Sequence, residues 1–203
     1  MLVVVGGHSR NIGKTSLVVG LIRNLRDLRW TAVKITQYGH GVCSNEGAEC
    51  GCEAEPEHPF ALTEEYAAGD ADSERFLGAG AERSFWLRTR AGELASATGV
   101  IEKLLVQNRN VIMESNSVLD LVQPDVFLMV LDFASRDFKL SSQRMLHRAD
   151  AIVVVGRETE SAPWPDVDRS LWEHKPRFPV CAPDYVTPAV AAFVREKLAA
   201  SVG

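Results

Sequence analysis

Residues 3–18 read VVVGGHSRNIGKTSLV, an apolar run that ends in two glycines and resumes, after a polar stretch, at Gly13-Lys14-Thr15. That order is a strand, a loop and a helix start, and Gly-Lys-Thr closes the phosphate-binding pattern G-x-x-x-x-G-K-[ST]. The pattern asks for a glycine five positions before Gly13, where this chain has His8. Gly7 stands six positions before, so the loop has the lysine and the hydroxyl but one residue more than the usual length. Its context decides the reading. Backbone N–H groups of such a loop, together with the helix N-terminus, converge on phosphate oxygens, and glycine lets the backbone come close. Gly7, Asn11, Ile12, Gly13, Lys14, Thr15 and Ser16 are therefore the candidate phosphate-binding residues. Lys14 is expected on the β- and γ-phosphates of a nucleotide and the Thr15 hydroxyl on magnesium.

Outward from this loop, apolar runs of strand length recur near 2–6, 31–36, 83–89, 110–115, 125–131, 151–156 and 179–183. Runs without polar alternation suit strands covered on both faces. Helical spacing marks KTSLVVGLIRNLRDL, DSERFLGAGA, ELASATGVIEKLLVQN and TPAVAAFVREKLAAS, the last with Thr187 as N-cap and Pro188 at the first helical position. The alternation predicts an α/β fold of three layers, with a mostly parallel sheet of about seven strands and helices on both faces. At 203 residues and 46% apolar content, the chain is expected to form one domain over 1–203. A net charge of −5 gives no basic field for nucleic acid or acidic membranes. No run approaches the ~18 apolar residues of a membrane span, and LVVVGG after Met1 lacks a signal-peptide pattern. The expected location is cytoplasmic. Cys181, inside PVCAP, reads as a core cysteine, and Trp30, Trp86, Trp164 and Trp172 read as packing or surface anchors.

Glu114 ends the apolar stretch NVIME, at the sheet edge where open α/β folds bind ligands. A carboxylate there suits magnesium or the orientation of a nucleophile, and Lys14 and Glu114 are the candidate catalytic pair. Lys34, on the next strand, could add a point charge for phosphate, while Asp132 ends another strand on the same edge. Asp70 and Asp72 precede a short helix and could simply cap it. His8 and Arg10 lie inside the phosphate loop, with either a ligand or solvent to face.

Residues 38–69 break the rhythm: polar, acidic, without sustained period, and predicted as an inserted loop. Cys43, Cys50 and Cys52 fall inside it, with His58 six residues later and His40 three residues before Cys43. Three thiolates and an imidazole, with His58 as fourth ligand, suit tetrahedral zinc, which would order a loop that has no core of its own. An iron–sulfur cluster, redox thiols and free thiols are the competing readings.

GGHSRNIGKTSL at 6–17 resembles the longer phosphate loop of dethiobiotin synthetase and the cobyrinate amidase group, within the P-loop NTPases. TAVKITQYGHG at 31–41, DADSERFLGAGAERSFWL at 70–87 and VIMESNSVLDLVQPDVFLMV at 111–130 are similar to the accessory-protein family of molybdopterin-guanine dinucleotide biosynthesis. The resemblance implies a Mg-nucleotide ligand, GTP or ATP, and weak hydrolysis in support of cofactor biosynthesis or metal handling, with a small molecule or biosynthetic protein as partner. It also implies magnesium near Thr15, Asp72 and Glu114, and a possible homodimer. The chain departs from the accessory pattern where Lys34 is followed by Ile35-Thr36-Gln37 and Glu114 by Ser115-Asn116. An ATP-dependent ligase or kinase and a metal-binding interaction module without turnover are the alternatives. No [NT]-K-x-D guanine-reading motif is present.

Overall fold

Strand β1 (Leu2–Gly7) is buried along its whole length, and its side chains part in turn to two faces. Leu2 and Val4 join one apolar cluster, Val3 and Val5 the other. The period of two is that of a strand with a core on either side. In the computed structural model, which describes residues 1–39, 59–156 and 163–201, this strand lies inside an eight-stranded sheet.

The sheet runs β3 (Phe60–Glu65), β4 (Arg83–Arg90), β2 (Thr31–Tyr38), β5 (Val111–Glu114), β1, β6 (Val126–Asp132), β7 (Ala151–Val155), β8 (Arg177–Val180). Neighbours are parallel except β3, which runs antiparallel to β4. Helices α1 (Lys14–Asn24), α2 (Asp72–Ala79) and α5 (Pro188–Ala200) bury Leu17, Leu21, Phe76, Val190 and Val194 on one face. Helices α3 (Thr98–Gln107) and α4 (Leu140–Leu146) cover the other through Ile101, Leu104, Met145 and Leu146. The three-layer α/β fold expected from the sequence is therefore present, with one strand more. The Thr187 side chain accepts from the Val190 N–H at the start of α5, where Pro188 opens the helix.

Three readings need correction. The segment 38–69 is not loop throughout: β2 runs to Tyr38, and Phe60–Glu65 forms the edge strand β3. Phe60 and Leu62 pack on the core, while Glu64 pairs with Arg83 on β4 through two hydrogen bonds of 2.8 and 3.0 Å. The charged end of the strand, Glu64-Glu65, breaks the apolar run in the sequence, and charge of this kind protects a sheet edge. Helix α4 escaped notice because two turns are too short for a periodicity signal. Cys181 is exposed, not core: β8 ends at Val180, and Cys181 opens the turn that bridges back to Asp184. Cys43, Cys50, Cys52, His58 and His40 lie outside the described residues.

All the parallel strands end on one edge of the sheet. There β1 is flanked by β5 on one side and β6 on the other, so successive connections leave it in opposite directions. The carboxyl-terminal edge at such a switch point is where open α/β sheets hold ligands.

Candidate functional site

The loop 8–13 leaves β1 at Gly7 and enters α1 at Lys14. Gly13 is left-handed, with φ 95°, and a Cβ there would collide with the Tyr185 ring, so only glycine serves. No side chain caps α1, and its first turn holds no acidic residue. Its N-terminal end faces a cavity of about 760 Å³ whose lining includes Gly7 and the whole stretch Ser9–Ser16. An uncapped helix start with the positive end of its dipole toward a polar cavity favours an anion there. Lys14 reaches back to the Ser9 carbonyl at 2.5 Å. Desolvation pulls its ammonium down to about 8, against the opposing carboxylate of Glu114. A half-buried ammonium so destabilised gains from an incoming anion.

Asn116, Ser142 and His8 brace the loop from behind. The Asn116 amide binds Gly7 from both ends, accepting from its N–H at 2.9 Å and donating to its carbonyl at 2.8 Å, with Ser142 also on that carbonyl at 2.9 Å. The role of Asn116 was not read from sequence because Gly7 lies 109 residues away. His8 faces inward rather than to ligand or solvent. It is fully buried, with its ring 5.1 Å from Phe138 and 4.8 Å from Trp164. Its Nδ1 meets the Asp137 carbonyl at 2.7 Å and its Nε2 meets the Asp132 N–H at 3.0 Å. A carbonyl only accepts and an amide N–H only donates, so the ring is neutral with its proton on Nδ1. Ser9 Oγ bonds the Asp137 carboxylate, fastening the next loop residue to the same segment.

Burial holds the His8 imidazole below its ordinary value of 6.5, against the pull of the Asp137 carbonyl and the Asp132 and Asp137 carboxylates, with Lys14 acting in the same direction as burial. The folded protein thus favours the neutral ring. Stability from it is present above pH 6.5 and lost as pH falls below that value. Between pH 7.5 and 5.5, wild type is expected to lose more unfolding free energy than His8→Phe, which keeps an aromatic ring and cannot titrate. Urea titrations at the two pH values measure it, and equal losses in both proteins would remove the claim.

The carboxylates converge on one ammonium. Lys34 Nζ lies 2.6 Å from Glu114 Oε1, 2.7 Å from Asp72 Oδ2 and 3.4 Å from Thr15 Oγ1. Thr15 Oγ1 in turn donates to Glu114 Oε2 at 2.8 Å. The register explains the pair: Lys34 of β2 sits directly beside Glu114 of β5. Glu114 is 3% exposed in its side chain, Lys34 17% and Asp72 40%. Burial alone would lower Lys34 and raise Asp72; their mutual attraction, with Glu114 acting on Lys34, outweighs it, so Lys34 stands above and Asp72 below the ordinary value.

Of the residues singled out in the sequence, Gly7, Asn11, Ile12, Gly13, Lys14, Thr15, Ser16, Lys34, Asp72 and Glu114 all line this one cavity, as does Arg10. Ile12 is the partial exception in role: its side chain is 4% exposed and belongs to the core. Asp132 is elsewhere, its carboxylate accepting from the Ala134 N–H at 2.9 Å in a turn. Cavity-lining residues not anticipated include Lys139, Ser141, Tyr185, Gln37, Arg75, Trp86 and Ser117. Trp86 has Arg88 stacked at 4.5 Å and donates to Thr36 Oγ1 at 3.0 Å.

The arrangement of the chain is similar to that of a solved structure. HypB from Helicobacter pylori, whose crystal structure is in complex with nickel, superposes with a TM-score of 0.50 at 14% identity, over 98% of this chain and 86% of HypB. The fold is that of the P-loop NTPases. LpxK from Aquifex aeolicus, solved in complex with ATP, matches with a TM-score of 0.49 at 18% identity over 88% of this chain. The chain spans about half of LpxK, 53% of its length. No protein-family profile and no curated protein matches the chain by sequence.

Among the described residues no helix is long and apolar enough to cross a membrane. No group of three His, Cys, Asp or Glu side chains gathers among them either. The protein's own oxygen donors at the Lys34 position are two carboxylates and one hydroxyl.

Proposed function

We propose that the chain binds a Mg-nucleoside triphosphate, ATP or GTP, in the cavity at the start of α1 and hydrolyses it slowly, in support of a cofactor-biosynthesis or metal-handling partner. The observation that carries the reading is the pairing of an uncapped helix start and half-buried, desolvated Lys14 with a cation position formed by Thr15, Asp72 and Glu114. Two carboxylates and a hydroxyl fit magnesium, which keeps several waters and takes phosphate oxygens rather than an all-protein cage. The position holds a positive charge already, that of Lys34, which supports the fit.

In this reading the backbone N–H groups of 13–16 and Lys14 orient and neutralise the phosphate oxygens. Magnesium held by Thr15, Asp72 and Glu114 would neutralise charge on the β- and γ-phosphates. Glu114 and Asp72 are both committed to cations, and neither is free to activate water. Turnover without a partner is therefore expected to be slow, on the order of 10⁻³ s⁻¹, as for P-loop proteins that lack a supplied transition-state group. A phosphate-release assay with ATP and GTP checks this; release of neither nucleotide above the Lys14→Ala background would count against hydrolysis.

The ATP-dependent ligase or kinase is the second reading, favoured by the extent of the cavity. Past Lys34 it continues along Gln37, Arg75, Trp86 and Ser117, a wall that phosphates on the loop would leave open to a second molecule. Phosphate release accelerated by a small carboxylate substrate would select this reading over the accessory role. For the cysteine segment, the sequence supports zinc on Cys43, Cys50, Cys52 and His58, and elemental analysis of protein purified without added metal is expected to find about one zinc per chain.

A further inference from the structure

The ammonium of Lys34 bonds all three side chains assigned above to magnesium. It lies 2.6 Å from Glu114, 2.7 Å from Asp72 and 3.4 Å from Thr15. A divalent cation and this ammonium cannot share that point. Nor can the metal simply displace the lysine, because Lys34 is largely buried and would be left beside a divalent charge with its carboxylates taken. The exchange balances only when an anion arrives with the metal. The carboxylates then trade ammonium for metal, while the lysine, one wall of the same cavity as Lys14, trades carboxylate for phosphate.

We propose that Lys34 is a resident cation that fills the position formed by Glu114, Asp72 and Thr15 in the nucleotide-free protein and keeps divalent metal out until a polyphosphate is present. The inference rests on the magnesium assignment made above and adds an order to it: metal binding is conditional on nucleotide. Removing the lysine charge converts a nucleotide-dependent site into a stand-alone divalent-cation site.

Manganese without nucleotide is the probe, because its free ion is counted by electron paramagnetic resonance and its preference for oxygen donors keeps it off cysteine thiolates. Wild type is expected to leave the free-ion signal unchanged, whereas Lys34→Met should bind one manganese per chain at least ~10-fold more tightly and melt at a higher temperature when manganese is added. Adding Glu114→Gln to Lys34→Met should abolish the gain, which locates it. Lys34→Gln, polar and of similar length, is the second variant should Lys34→Met fail to fold by circular dichroism. Manganese held by wild type as tightly as by the variants would overturn the proposal, and so would no gain in either variant. Nucleotide is absent throughout, so a failure here leaves nucleotide binding by the phosphate loop to be judged by its own titration.

Discussion

Lys14→Ala is expected to weaken Mg-nucleotide binding by ~10- to 100-fold or more while leaving the fold intact. Hydrogen bonds to charged groups contribute ~1.5–3 kcal/mol, and each 1.4 kcal/mol is tenfold in affinity. The effect belongs at the upper end because the ammonium is desolvated: its ordinary value of 10.5 falls to about 8, so the folded protein disfavours its charge until an anion arrives. For the same reason the variant should be no less stable than wild type. The shift also fixes a pH signature. Phosphate oxygens beside Lys14 raise its affinity for a proton, so binding near pH 8 takes up a proton, and affinity declines as pH rises through 8. Calorimetry in buffers of different ionisation enthalpy reads the uptake directly. Undiminished affinity in Lys14→Ala would refute the assignment of the loop.

Glu114→Ala should have the largest effect on stability. It orphans the Lys34 ammonium on its buried side and removes the acceptor of Thr15, while Asp72, more exposed, remains on the other. Breaking a buried ion pair from one end costs ~3–5 kcal/mol. With Asp72 still in place the lower figure, about 3 kcal/mol, applies, and in a chain of this size it lowers the melting temperature by roughly 6–12 °C. The loss comes from the stranded charge, so Glu114→Ala combined with Lys34→Met should recover most of it. A double variant as unstable as the sum of its parts would mean that the cost lies in packing around Glu114 instead. Magnesium dependence of nucleotide binding should be weaker in Glu114→Ala in either background.

The strand, loop and helix start at 3–18 were legible because their parts are contiguous: apolar strand, glycines, Lys14 and Thr15 within sixteen residues, with a helix behind. Glu114 could be placed at the carboxyl edge from its position at a strand end, whereas Lys34 lies midway along β2. Their meeting could not be read, since it depends on β2 and β5 being neighbours in a sheet whose order differs from the chain order. His8 illustrates the opposite limit. In the sequence it occupies the place of a glycine and reads as a ligand or a solvated tip. In the fold it is a buried brace, because Asp132, Asp137, Phe138 and Trp164 come together behind it from 124 or more residues away. Asn116 is hidden for the same reason. Strand β3 was hidden differently, by composition: an edge strand that ends in Glu64-Glu65 gives no apolar run to find.

The most direct test is calorimetric titration of the wild-type protein with ATP and with GTP, each with magnesium and with EDTA. Saturable binding of one nucleotide per chain that requires magnesium is the expected result, and preference for one base would choose between the two ligands. Binding of neither nucleotide, or binding that is as tight in EDTA, would contradict a Mg-nucleotide site built from Lys14, Thr15, Asp72 and Glu114.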